Sequence, residues 1–163
     1  MIANKSTLFY PDTLPLAIML EVSERVLGKE HPDTLGSVNN LAGLLYSKGD
    51  YEGAEPLFRR ALEASERVLG KDHPDTLTSV NNLAALLDSK GDYKGAEPLY
   101  RRALEGLCKV SRNMGGADLQ LKTFVNNYAG CLLKMGMNGV QVIQRLEGVL
   151  KPYGFSAGDF FTP

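Results

Sequence analysis

The stretch from Glu24 to Ser65, ERVLGKEHPDTLGSVNNLAGLLYSKGDYEGAEPLFRRALEAS, returns without a gap as Glu66 to Leu107, ERVLGKDHPDTLTSVNNLAALLDSKGDYKGAEPLYRRALEGL, and only eight of the 42 positions differ. A period between about 20 and 50 residues marks a solenoid, where each unit buries its apolar face only by stacking on a neighbour. A weaker third copy follows. VNNYAGCLLKMG (Val125 to Gly136) answers VNNLAALLDSKG (Val80 to Gly91) at an offset of 45, so about three residues are inserted between Asn113 and Asp118. Upstream, EVSERVLG (Glu21 to Gly28) matches EASERVLG (Glu63 to Gly70), so the chain is expected to open on the tail of a further repeat.

Each unit reads as two helices. Leu35, Val38, Leu41, Ala42 and Leu45 recur at three- and four-residue steps and so share one helical face. Asp33 is the expected N-cap, because Pro32 cannot extend that helix backwards. Gly49 suits the left-handed position that ends a helix, and Asp50 suits the cap of the next. That second helix is expected from about Tyr51 to Leu69, with Ala54, Leu57, Phe58, Ala61, Leu62 and Val68 inward and a kink at Pro56. The resulting layout is an N-terminal tail over 1–11 and the second helix of a partial repeat over 12–28. Repeats follow over 29–70 and 71–112, then a degenerate repeat over 113–152 and a C-terminal tail over 153–163.

The spacing Val38-x2-Leu41-Ala42-x2-Leu45, followed by Ala54-x3-Phe58-x2-Ala61, resembles the tetratricopeptide repeat, and Val80, Leu83, Ala84, Leu87, Ala96, Tyr100 and Ala103 repeat it. The 42-residue unit with VLGKxHPDTxxxxNNLA and GDYxxAEPLxRRAL is similar to the kinesin light chain type of that repeat. The resemblance implies an all-α, right-handed superhelical solenoid of about seven helices. In the third copy, ungapped counting puts Gln141 and Arg145 in the alanine and aromatic slots, and only Gly148 keeps the small residue.

Little in the chain promises catalysis. His31-Pro32-Asp33 and His73-Pro74-Asp75 are similar to a co-chaperone loop tripeptide, but they recur at the repeat period and read as linker plus cap. Two histidines one repeat apart do not make the three or four ligands a metal needs. Cys108 and Cys131 fall on apolar helical faces, away from either histidine, and read as packing residues in a reducing compartment. Arg59-Arg60 and Arg101-Arg102 read as solvated faces with Glu55 and Glu97 four residues back. The expectation is a protein without enzymatic turnover, cofactor or metal. A net charge of −1 lacks the cationic excess a nucleic-acid binder needs, and no apolar run approaches the roughly 20 residues that cross a membrane. A cytoplasmic location is therefore expected. Charge is uneven all the same: Cys108 to Lys151 holds six basic and two acidic residues, 6 − 2 = +4.

By the resemblance, the face of each first helix opposite its apolar stripe contacts a peptide or protein in a concave groove. In the first repeat these slots are Gly36, Asn39, Asn40, Gly43 and Tyr46. In the second they are Thr78, Asn81, Asn82, Ala85 and Asp88, and in the third Thr123, Asn126, Asn127, Gly130 and Leu133. Three of the eight differences between the twin repeats, at 36/78, 43/85 and 46/88, fall on these slots, while the core stripe is unchanged. Asn39, Asn81 and Asn126 are expected to grip a peptide backbone, and Asn40, Asn82 and Asn127 to have bonding between neighbouring helices as their alternative role. The slots hold no cation, so capture of a carboxylate terminus is not expected. The partner is thus a protein or peptide segment bound by a scaffold. The competing reading is a structural spacer or self-association module of a larger protein. Leu14, Leu16, Ile18, Met19, Leu20, Val22 and Val26 exceed what one face of the first helix can bury, so a homodimer contact through that helix, a cover from Met1 to Tyr10, or a missing upstream domain is expected.

Overall fold

The computed structural model describes residues 13–114 and 119–161, which form seven α-helices and no strand. These are α1 (Leu14–Val26), α2 (Pro32–Ser47), α3 (Tyr51–Val68), α4 (Pro74–Ser89), α5 (Tyr93–Met114), α6 (Leu119–Lys134) and α7 (Gly139–Leu150), followed by 3-10 turns at Lys151–Tyr153 and Ala157–Asp159. The chain is all-α and built from helix pairs. The start proposed at position 12, the cover by Met1 to Tyr10 and most of the insertion loop lie outside the described residues.

The first helices stop where the sequence demands it. Gly49 adopts φ +81°, the Gly49 N–H donates to Tyr46 O at 2.9 Å and the Asp50 N–H to Leu45 O at 2.9 Å. That double closure satisfies carbonyls the helix leaves open, and only glycine enters this conformation cheaply. Asp50 then accepts from the Gly53 amide at 2.9 Å and caps α3, which runs unbroken past Pro56.

The start differs from expectation. His31, not Asp33, is the N-cap of α2: its Nδ1 accepts from the Asp33 amide at 3.2 Å while its backbone is extended. His73 does the same for α4 through the Asp75 amide, also at 3.2 Å. Proline explains the shift. Pro32 fits the first helical position with its preset φ and has no N–H, so the first open amide is that of Asp33, within reach of the residue before the proline.

Two compact units share α4 between them, one reaching to Leu86 and the other starting at Leu87. In the first, Leu20 of α1, Val38 and Leu41 of α2 and Ala61 of α3 form a buried cluster, with Leu16, Ala17 and Leu57 packed against it. Arg60, expected on a solvated face, instead meets Glu24 of α1 at 2.6 Å, while Arg59 pairs with Glu55 at 2.8 Å as the spacing suggested. In the second unit Leu104 and Leu107 of α5, Leu121, Val125 and Leu132 of α6, and Leu146 and Leu150 of α7 are buried. Truncating one such leucine to alanine costs about 2–5 kcal/mol. Asn138 and Gln141 close a reciprocal capping box at the start of α7, which explains a glutamine in the alanine slot. Beyond α7, Phe160 is buried and tilts against Phe155 at 6.4 Å. Glu147 fastens this tail by accepting from the Ala157 amide at 2.8 Å and the Ser156 hydroxyl at 3.2 Å.

Candidate peptide-binding face

In the first unit α2, α4 and the end of α3 enclose a pocket of about 640 Å³. Of the expected slots it gathers Gly36, Asn39, Asn40 and Gly43 from one repeat with Thr78 and Asn82 from the next. A Cβ built on Gly36 or Gly43 meets no atom within 4 Å, so these glycines leave open space above the helix. Tyr46, Asn81 and Ala85 lie outside this wall. Tyr46 tilts against Tyr51 at 5.6 Å, and Asn81 is buried in α4.

The asparagines divide their work differently from expectation. Asn39 Nδ2 donates to Ser79 Oγ at 2.8 Å, and the Ser79 hydroxyl spends its single proton on Asp75 O at 3.1 Å. The orientation of the Asn39 amide follows, since Ser79 has only lone pairs left to offer. Asn39 therefore staples α2 to α4, the alternative role given to Asn40, Asn82 and Asn127, and its Oδ1 is buried without a hydrogen-bond partner. Asn40 is exposed and Asn82 half-buried, and both line the pocket wall.

Asp33 and Asp75 line the same pocket and were not foreseen as site residues. Their expected work as caps hid them. Once His31 and His73 take the caps, the two carboxylates are released, with side chains 79% and 75% exposed. The Pro that follows each histidine was the signal that would have found them.

In the second unit Asp88 is closed off: Lys134 Nζ sits 2.6 Å from its Oδ2, and that hydrogen bond raises the lysine's pKa above its ordinary value. Lys134 directly follows the Leu133 slot, so the slots themselves hold no cation but one stands beside them. Thr123 is exposed and bonds its own helix at Leu119 O; Asn126 is exposed, Asn127 and Gly130 are half-buried, and Leu133 is exposed. Behind them Tyr128 is fully buried, and its hydroxyl donates to Glu97 Oε1 at 2.7 Å. Arg145 reaches the same oxygen at 3.2 Å. Glu97 is thus held by these two rather than by Arg101. Burial, then Glu97, pushes the Tyr128 phenol well above its ordinary range.

Neither thiol is poised for chemistry. Burial, aided by Glu105, pushes Cys108 up to about 12, and burial, aided by Asp88, pushes Cys131 up to about 11, so both stay protonated and poorly nucleophilic. Among the described residues no group of three or more histidine, cysteine, aspartate or glutamate side chains is placed to hold a metal, and no helix is long and apolar enough to cross a membrane.

Repeated helix pairs whose first helices expose small and amide-bearing residues define a helical-repeat protein. Residues 35–109 match the tetratricopeptide repeat family model, so that stretch carries tetratricopeptide repeats. Among solved structures it resembles BtubC (BKLC) from P. vanneervenii, with 23% sequence identity and a TM-score of 0.70 over 93% of this chain. The match spans 58% of the length of that structure's chain, and at this identity it speaks for the fold alone. No curated protein matches the chain. Tetratricopeptide repeats generally mediate protein–protein interaction and are typically non-enzymatic scaffolds.

Proposed function

We propose that the chain is a peptide-binding scaffold whose first-helix face grips an extended protein segment, without turnover and without a cofactor. The observation that carries this reading is the pocket in the first unit, where six expected slots from two consecutive repeats meet over two unobstructed glycines. Asn40 and Asn82 each offer donor and acceptor to a peptide backbone. The likeness of the repeat motif to the kinesin light chain type supports a protein ligand, and the buried, unpaired thiols support a reducing, cytoplasmic setting. Peptides selected by display against the whole chain provide the test, with dissociation constants measured by fluorescence anisotropy. Asn40→Ala together with Asn82→Ala should weaken a selected peptide by about 1 kcal/mol per lost neutral bond, with little change in thermal stability. Undiminished binding by the double variant refutes the groove reading.

A second reading, self-association, is favoured by the N-terminal helix. Counted at the repeat offset, Met19 and Val22 stand where α3 has Ala61 and Ala64, which are buried, and Ala61 packs against Val38 and Leu41 of α2. In α1 the same slots are 58% and 45% exposed, beside exposed Leu14, Ile18 and Val26. Leu16 and Leu20, by contrast, turn inward to the core. The uncovered slots are those a first helix would fill, and a second copy of the chain has such helices to supply. Light scattering over a concentration series, with Ile18→Glu and Met19→Glu as dissociating variants, checks it.

A further inference from the structure

We infer that the pocket of the first unit selects a cationic side chain, so that the segment it binds is basic, with lysine or arginine seated between the two repeats. This deepens the groove reading and rests on it. Among the described residues, the only charged ones lining the pocket are Asp33 and Asp75, one from each repeat, and no lysine, arginine or histidine lines it. Neither carboxylate meets a lysine or arginine among the described residues. Each lies 3.7 and 3.6 Å from the Nδ1 of its own histidine, but that nitrogen accepts the aspartate's amide hydrogen and so carries no proton to share. Glu30, in the loop before α2, is already held by Arg67. Lys29 and Lys71 stand in the preceding loops and do not line the pocket.

Two effects compete for the sign of the site. The N-termini of α2 and α4 each contribute roughly half a positive charge, against one full negative charge from each aspartate, which leaves about one net negative charge. A third element points the same way. Ser37 donates its hydroxyl proton to Asp33 O, so its remaining lone pairs accept. A ligand rich in donors and positive charge complements this wall. A carboxylate or phosphate does not.

The test uses the full chain, labelled with nitrogen-15, and a capped serine–glycine heptapeptide with one central arginine, alongside its lysine, leucine and glutamate counterparts. The amide signals of Gly36 and Gly43 report the pocket. Two exposed charge pairs together predict about tenfold tighter binding of the arginine and lysine peptides than of the other two, shrinking as salt is raised toward about 0.5 M. Asp33→Asn with Asp75→Asn should erase that preference, while Asp33→Glu with Asp75→Glu keeps it. The histidine caps remain in both variants, and the rest of each spectrum reports that the fold is intact. Four peptides binding equally at Gly36 and Gly43 would leave the groove reading standing and overturn the charge selection. A preference for the glutamate peptide overturns it outright. Silence at both glycines from every peptide refutes the groove reading itself.

Discussion

Removing one oxygen from the second unit, by Tyr128→Phe, should cost about 2 kcal/mol. Tyr128 stands in the slot that holds Leu41 and Leu83 in the earlier repeats, and Arg145 stands in the aromatic slot of Phe58 and Tyr100. The two exchanges belong together: the phenol donates to Glu97 Oε1 at 2.7 Å and the guanidinium reaches that oxygen at 3.2 Å. A hydrogen bond to a charged acceptor contributes about 1.5–3 kcal/mol. Phenylalanine keeps the ring, so no cavity term is added, and Glu97 keeps Arg145, so no carboxylate is stranded. Near the melting point about 2 kcal/mol corresponds to a fall of roughly 4–8 °C for a chain of this length. Tyr128→Leu restores the residue of the earlier repeats yet should cost more, because it also removes ring volume. Hydrogen exchange of α5, α6 and α7 amides localises the loss, which matters in a repeat protein whose units can open separately. A Tyr128→Phe protein within about 0.5 kcal/mol of the parent refutes the reasoning, since a bond of this kind cannot be so weak when fully buried.

Gly36→Ala and Gly43→Ala should each raise stability by about 0.5–1 kcal/mol, since the space is open and alanine favours the helix, while weakening any ligand that uses the vacant room; calorimetry and anisotropy read the two effects separately. Stability should decline above about pH 9: Cys108 titrates near 9 when unfolded and near 12 when folded, so the unfolded state loses its proton first and gains. Cys108→Ala should flatten that alkaline limb in pH-dependent denaturant curves. The Glu147 carboxyl is held below its ordinary value, first by the Ala157 amide, so its contribution is present above the usual carboxylate range and lost as pH falls through the lowered value. Glu147→Gln should remove this acid dependence and speed exchange at the Ala157 amide.

The fold was legible because its signals are local and doubled. Gly49 and Gly91 announce helix ends at a fixed interval, and the stripe from Val38 to Leu45 has one period in both copies. The caps were misread because Asp33 and His31 both have acceptors, and only the proline between them, through its fixed φ and absent N–H, decides which one meets the open amide. The groove was half legible. Helical geometry put Gly36, Asn40, Gly43, Thr78 and Asn82 on one surface, but it could not say which asparagine of each pair leans toward the neighbouring helix. That choice depends on Ser79, a partner 40 residues away whose role no local pattern marks. Likewise Arg145 looked like a lapse from the repeat until Tyr128 and Glu97 came into reach of it.

The bond from Asn39 to Ser79 has a bearing on how such a chain can lengthen. Each of the twin units holds both halves of the join: an asparagine to reach forward, at 39 and 81, and a serine to be reached, at 37 and 79. A unit copied in tandem between them therefore arrives already fitted to the one before and the one after, with no second change needed elsewhere. The third unit has Phe124 where that serine would stand, so it can receive no such bond. Growth by duplication is open upstream of it and closed at it, and a designed insertion of one more 42-residue unit after Ser65 should fold without any adjustment to its neighbours.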